Sequence, residues 1–223
     1  MAARWIAAVV LVGLVVTAAL VGALRWVAPP FTAMMLAQPG PLAAIDYRWV
    51  SRDEISEAAV RAVIASEDQR FFDHHGIDFA SLHDAIDDYR AGDGLRGAST
   101  ITQQVAKNVF LWSGRSYVRK ALEAYFALLL EALLPKERIL EIYLNIAELG
   151  PRVFGVEAAA QHFFGTSAAR LTPQQAALLA AVLPNPQRLK VEQPSPYVRG
   201  RQAWVLGQMR LLDARGHYRP LEW

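Results

Sequence analysis

Arg96-Gly97-Ala98-Ser99-Thr100-Ile101-Thr102-Gln103-Gln104-Val105-Ala106-Lys107-Asn108 is the stretch on which the reading of this chain turns. Thr100 followed three residues later by Gln103 has the spacing of a capping box, in which each side chain satisfies the other's backbone N–H, and it predicts a helix opening at Thr100. Positions three and four apart share a helix face. Gln103, Gln104, Lys107 and Asn108 therefore form one stripe, with Ile101, Val105 and Val109 on the other side. A solvated helix face would carry the same polar stripe. The stripe also has the donors and acceptors that sugar hydroxyls need, and one fixed cation for a phosphate. The Gly and Ser residues just before it suggest a helix N-terminus whose free N–H groups suit an anion.

Outward from this helix, the chain is rich in helix signals and poor in alternating strand patterns. Ser51 with Glu54 is a second capping box and predicts a helix running through Val60, Val63 and Ile64. Thr172-Pro173-Gln174-Gln175 gives an N-cap, a proline at the first helical position and a glutamine at the third, with an Ala/Leu tract that stops before Pro184-Asn185-Pro186. Pro135 splits a long helical region into Arg119 to Leu134 and Lys136 to Asn145. A last helix, near Tyr197 to Ala214, carries Val198, Val205, Met209 and Leu212 on one face and is expected to end at Gly216. Only short strands fit, near Tyr47–Val50. The class is mainly α.

The amino-terminal end differs from the rest. Ile6 to Leu24 are nineteen uncharged, mostly apolar positions. At about 1.5 Å per residue they nearly match a hydrocarbon core of roughly 30 Å. Trp5 and Trp26, with Arg4 and Arg25 beside them, mark the two interfaces. The alternative is a cleaved signal peptide, with Val21-Gly22-Ala23 as a tolerable cleavage site, although such apolar cores are usually shorter. Charge favours the short tail inside and the domain outside, weakly. Pro29-Pro30 and Pro39-Gly40-Pro41 predict a non-helical linker. The expected organisation is an anchor at 1–28, a linker at 29–50 and one domain at 51–223. The absence of cysteine excludes disulfides and a thiol nucleophile. With 23 basic and 21 acidic residues, a net charge of +2 gives no argument for nucleic acid. No zinc-type ligand spacing, nucleotide loop or internal repeat is present.

Two acids stand out. Glu67-Asp68 ends an amphipathic helix and leads into Gln69-Arg70-Phe71-Phe72-Asp73-His74-His75-Gly76-Ile77-Asp78. A carboxylate at such a junction, among aromatics and a cation, can be held partly desolvated and made a useful base. The plainer reading is an exposed helix-end acid paired with Arg70. The adjacent histidines are read as holding the loop rather than a metal. Glu123 has Arg119 four residues before it and Lys120 three before it. That spacing gives either an ordinary helix salt bridge or a diphosphate site, with the carboxylate helping to hold a divalent metal.

Together these motifs resemble the family 51 glycosyltransferases, the peptidoglycan transglycosylases, and most of all their monofunctional biosynthetic members. The first motif reads Glu67-Asp68-Gln-Arg-Phe71-Phe-Asp-His74-His-Gly76-Ile-Asp78 and the second Gly97-Ala98-Ser99-Thr100-Ile101-Thr102-Gln103-Gln104-Val-Ala-Lys107-Asn108. The third is Arg119-Lys120-Ala-Leu-Glu123 and the fourth Lys136-Glu-Arg-Ile139-Leu140-Glu141-Ile-Tyr143-Leu144-Asn145. Phe154-Gly155-Val156-Glu157-Ala158-Ala159-Ala160-Gln161-His162-Phe163-Phe164-Gly165 completes the series. The likeness spans roughly Ser51 to Arg210. Ala98 replaces a glycine, Gln69 stands where many members have arginine, and Thr166 where a lysine often follows.

The resemblance implies a lysozyme-like helical domain behind one transmembrane helix. It implies polymerisation of lipid II onto a lipid-linked glycan chain, with inversion and without transpeptidase activity. Glu67 would take the proton from the acceptor 4-hydroxyl. Lys107, Arg115, Arg119 and Lys120 would stabilise the leaving diphosphate, with Glu123 and a divalent ion, Mg or Mn. Ser99, Gln103, Gln104 and Asn108 would position sugar or phosphate. The expected place is the bacterial cytoplasmic (inner) membrane, single-pass, with the domain on the outer, periplasmic side. Other cell-wall synthesis or division proteins are the expected partners, and nucleic acid is not. Val109-Phe110-Leu111-Trp112 would suit docking at the lipid interface, and core packing is its alternative. Gly92-Asp93-Gly94 and Gly97 suggest a mobile loop near the site. Lys136, Glu141, Tyr143 and Asn145 are read as mainly structural. A lytic murein-cleaving enzyme and an inactive membrane-anchored cell-wall partner remain open; a cation-rich site for a diphosphate argues against the first, intact acids against the second.

Overall fold

The computed structural model describes residues 1–91, 99–114 and 116–214. Among them the chain is mainly helical: α1 (Ala2–Ala23), α2 (Ala33–Leu36), α3 (Glu57–Glu67), α4 (Phe79–Ala91), α5 (Ile101–Phe110), α6 (Tyr117–Leu133), α7 (Lys136–Ile146), α8 (Val156–Phe164), α9 (Pro173–Val182) and α10 (Pro196–Ala214). The expected mainly α class holds. So do the capping boxes at Thr100 and Thr172 and the break at Pro135.

The box at Ser51 also forms, but it closes only a short 3-10 turn over Arg52–Glu54. α3 starts afresh from Ser56, whose hydroxyl accepts from the Ala59 N–H. A capping box satisfies two N–H groups and does not by itself extend a helix, so a second cap was needed.

The interior is built on α9. Ala176, Ala177, Leu179, Ala180, Ala181 and Val182 are all buried. Small side chains on such a helix let neighbours approach closely, and α3 and α10 both pack on it. Val198, Val205, Met209 and Leu212 form the buried face of α10, as their spacing predicted. α7 is buried almost all round, from Ile139 and Leu140 through Ile142 to Ile146, and α5 lies across it.

A small sheet sits at one end. β1 (Asp46–Tyr47) pairs in parallel with β3 (Val153–Phe154), and β3 pairs antiparallel with β2 (Glu148–Gly150), giving the order β1-β3-β2. The strand expected at Tyr47–Val50 is thus shorter and begins one residue earlier. Two- and three-residue strands carry too few alternations to show a period, which is why β2 and β3 left no trace in the sequence. Gly155 follows β3 at φ +84°, and an added Cβ would lie 2.3 Å from the Asn145 carbonyl oxygen. Only glycine fits where this backbone crosses α7.

The segment expected to be a non-helical linker is folded against the domain, and that expectation is corrected. Thr32 caps α2, Met35 is fully buried, and α2 packs on α5. The Tyr47 hydroxyl donates to the Pro29 carbonyl at 2.8 Å. The Arg152 guanidinium donates to the carbonyls of Pro39, Pro41 and Ala44. A cation can draw three carbonyls of an irregular segment around itself, and neither proline signal foretells it.

α1 is long and apolar enough to cross a membrane, and only 6% of its most apolar window is buried. Its C-terminal end nevertheless engages the domain. Val21 and Leu24 join the core, Thr17 Oγ1 lies 2.7 Å from the Tyr125 hydroxyl, and Arg138 Nε donates to the Leu24 carbonyl at 2.8 Å.

Candidate active site

Glu67 is the last residue of α3. The helix buries Val60, Val63 and Ile64, which fixes the side on which Glu67 emerges. Its carboxylate is 13% exposed. Oε2 accepts from the Gln104 amide at 2.9 Å and Oε1 from the Ser66 hydroxyl at 3.2 Å. Arg70 is not its partner. That guanidinium lies 3.7 Å from Asp78, and the cation beside Glu67 is Arg201 of α10, at 3.6 Å.

Asp68 points the other way and is buried. His74 Nε2 lies 2.9 Å from its Oδ1, and the Ile101 N–H donates to its Oδ2 at 2.9 Å. The start of α5 does suit an anion, but the anion is the chain's own Asp68. Within the capping box Gln103 Oε1 accepts from the Thr100 N–H, and the Thr100 hydroxyl accepts from the Gln103 N–H. Gln103 is buried in this role, while Gln104 faces Glu67 and Lys107 lies one turn further along α5. The stripe read as four equivalent binding groups is therefore divided between cap and site. The loop histidine acts as read, since His74 ties the first motif to α5 through Asp68.

Lys107 faces both acids. Its side chain makes no hydrogen bond or ion pair with any described residue. Burial holds its ammonium below the usual lysine range; Glu123 draws it up again, Arg119 and Lys120 press it down, and Glu67 adds a smaller upward pull. Glu123 is buried on α6, with Arg119 Nη1 donating to Oε2 at 2.6 Å and Lys120 Nζ to Oε1 at 2.5 Å. Lys120 Nζ also reaches the Ser99 hydroxyl at 3.2 Å. The third motif thus joins the second and forms a cation cluster of Lys107, Arg119 and Lys120 around one carboxylate. Both Glu123 oxygens are taken, so a divalent ion there would have to displace one cation and face two others. The residues described do not fit a resident metal. Asn108 is half-buried on the same helix and forms no side-chain hydrogen bond with a described residue. Arg115, Ala98, the glycines at 92, 94 and 97, and Gly216 lie outside the described residues.

The transglycosylase family model matches residues 36–210. The chain belongs to this family. It is 51% identical over 201 residues to the biosynthetic peptidoglycan transglycosylase of Stutzerimonas stutzeri, covering 87% of this chain and 83% of the relative. Identity to the protein of the same name from Marinomonas sp. is 53% over 188 residues, covering 84% and 82%. For that of Pseudomonas aeruginosa it is 48% over 209 residues, covering 91% and 90%.

The transglycosylase site also contains residues that motif reading demoted or missed. Tyr143, read as mainly structural, is buried, and its hydroxyl donates to Gln104 Oε1 at 3.1 Å. That bond turns the Gln104 NH₂ toward Glu67. Burial, with Glu67 and Asp68 nearby, pushes the Tyr143 phenol well above its usual value, so it remains a donor. Asn145, Lys136 and Glu141 do serve the fold. Asn145 exchanges two hydrogen bonds with the Val50 backbone, Lys136 pairs with Glu131 at 2.7 Å, and Glu141 pairs with Arg138. Arg201 and Glu148 were missed. Glu148, on β2, accepts from the Gln38 and Gln187 amides; burial raises its pKa, against the hydrogen bonds from the Arg152 N–H and Gln187 and, least, the charge of Lys107. Neither residue lies in a motif, and Arg201 reaches Glu67 from an element far along the chain, so no local signal marked them.

Proposed function

We propose that this transglycosylase polymerises lipid II: the Glu67 carboxylate takes the proton from the acceptor 4-hydroxyl as that oxygen attacks C1 of the lipid-linked donor chain with inversion. The observation that carries the reading is the arrangement of α5. Gln104 fixes the base Glu67, and one turn later Lys107 presents a half-buried ammonium, with no hydrogen-bond partner among the described residues, beside the Arg119–Lys120–Glu123 cluster. A diphosphate leaving group needs cations rather than an acid, because its charge is neutralised without protonation. A glycosidase would instead need a second carboxyl free to act as acid, and Glu123 is saturated by two cations. The partly desolvated Lys107 gains most from an arriving anion. Lys107, Arg119 and Lys120 supply the positive charge, and Ser99 and Asn108 meet phosphate or sugar.

The same reading places the chain at a bilayer, anchored by α1 in the cytoplasmic membrane with the domain outside. The length and apolar character of α1 support the anchor, and the register of α1 on α6 sets how the domain lies along it. Thr17 meets Tyr125, and Arg25 meets the Leu133 carbonyl, eight residues further along on each helix. The two helices therefore run the same way, and the N-terminal tip of α6 points back along the anchor by about 12 Å per eight residues. That tip exposes Tyr117 and Val118, and exposed Trp112 ends the preceding segment. Phe110 instead stacks on Phe126 at 4.5 Å and Leu111 is buried, so the apolar run is part core and part surface. Burial of Val21 and Leu24 in the domain favours a retained anchor over a cleaved leader.

The test is polymerisation of purified lipid II by the full chain in detergent, with Glu67→Gln as control. Wild type should give glycan polymer and release undecaprenyl diphosphate. The variant should bind lipid II and lose about 10²–10⁴-fold in rate. Cleavage of isolated murein, or a near-normal rate in Glu67→Gln, would reject the assignment.

A further inference from the structure

Arg201 has the placement of a functional group but belongs to none of the motifs. α10 is held in register on α3 by two polar contacts, Arg61 Nη2 to the Met209 carbonyl at 3.0 Å and Gln69 Nε2 to Gln208 Oε1 at 3.1 Å. Val205, one turn after Arg201, is fully buried. This register brings Arg201 Nη2 to 3.6 Å from Glu67 Oε1, with the arginine side chain 22% exposed. Its Nε is buried with no hydrogen-bond partner among the described residues, and its guanidinium stands 5.7 Å from the Trp204 ring. The guanidinium is therefore too far for a direct hydrogen bond to the carboxylate and close enough to act on it through charge.

We propose that Arg201 is a positioning residue for the Glu67 base, acting on that carboxylate through its charge and holding it turned toward the acceptor. The inference rests on the reading of Glu67 as base. The groups facing Glu67 can be sorted by element. From α3 and its end come the Ser66 hydroxyl and Asp68, the latter paired with His74. From α5 come Gln104 and Lys107, and from α7 the un-ionised Tyr143. From α10 comes Arg201. Two of these are cations free to favour the carboxylate. Lys107 feels Glu123 more strongly than Glu67, and a bound diphosphate would neutralise it. Among the described residues, Arg201 is then the remaining cation beside the base. Its distance also matters. The Ser66 hydroxyl already donates to Oε1, so a direct hydrogen bond from Arg201 would occupy its second lone pair, whereas at 3.6 Å that one stays accessible.

The experiment is the pH dependence of the initial polymerisation rate for the full chain, Arg201→Gln and Arg201→Lys, with thermal unfolding measured alongside. Arg201→Gln should shift the acid limb upward by about one pH unit, as expected when a charge partner within about 4–6 Å of a carboxylate is lost, and lower the plateau a few-fold. Arg201→Lys keeps the charge and should hold the limb at its wild-type position. A Gln variant with an unmoved limb would overturn the proposal, leaving Arg201 as packing between α10 and α3. A Lys variant with a limb displaced by a full unit would also overturn it, and can be read even if the Gln variant does not fold. Glu67→Gln separates the two levels. If it retains polymerisation, the reading of the base has failed, whatever Arg201 does.

Discussion

Lys107→Met should separate stability from activity. The methionine keeps an unbranched stem of similar length in the same half-buried position, so packing is conserved and only the charge is lost. In the folded chain that charge has no hydrogen-bond partner among the described residues. Its desolvation and the repulsion from Arg119 and Lys120 together outweigh the attraction of Glu123 and Glu67, which is why its pKa is lowered. Folding therefore works against the ammonium. Between the lowered folded-state value and the ordinary 10.5, the unfolded chain keeps the proton while the folded chain releases it, so wild-type stability rises with pH across that window. The variant should match or exceed the wild-type Tm at neutral pH, and the gap should close as pH climbs through the window. Activity should move the other way. Loss of one preorganised donor to a developing anion typically costs about 2.7–4 kcal/mol, or about 10²–10³-fold in rate. The assays are calorimetric unfolding from pH 7 to 10.5 and lipid II polymerisation. A fall of several degrees in Tm would make Lys107 a structural lysine, and a wild-type rate would remove it from the clamp.

Tyr143→Phe should slow polymerisation about 2–10-fold, the worth of one neutral hydrogen bond of about 0.5–1.5 kcal/mol, because Gln104 loses the contact that orients it; an unchanged rate with normal Tm would show that Gln104 is positioned without Tyr143. Removal of residues 1–30 should lower the Tm, since Val21, Leu24 and the Thr17–Tyr125 contact are lost, while leaving slow polymerisation in detergent; an unchanged Tm would mean that the anchor is not docked. Trp112→Phe should remove a component of tryptophan fluorescence that brominated phosphatidylcholine quenches in the reconstituted chain; identical quenching with and without Trp112 would place that surface away from lipid.

The fold was legible where a local rule was enough. Thr100, Thr172 and Pro135 set helix ends through their own backbone chemistry, and the face of α10 followed from spacing. The sequence misled where tertiary contacts replace local ones. The Ser51 box closes a single turn because the chain must bend before α3. The proline-rich segment at 29–50 folds because Arg152, more than a hundred residues later, gathers its carbonyls. No pattern within a window of ten residues can carry that information.

The site divides in the same way. Glu67, Lys107, Arg119, Lys120 and Glu123 were singled out because motif spacing keeps them together, and the structure sets them close to one another along α5 and α6. What spacing left open was how each group is used. Gln103 and Gln104 are adjacent amides, yet one closes a cap and the other holds the base, because their side chains leave α5 about 100° apart. Gln104 and Lys107, three residues apart, fall nearly in line and meet different acids along one groove: Glu67 at the first turn and the Glu123 cluster at the next. α5 thus sets the separation between the proposed base and the proposed clamp, with Tyr143 bonded to Gln104 and Arg201 standing 3.6 Å from Glu67. A change that lengthens or kinks α5 between Gln104 and Lys107 would alter that separation without touching either acid. Its capping box and buried Val105 and Ala106 fix the helix where that geometry is set.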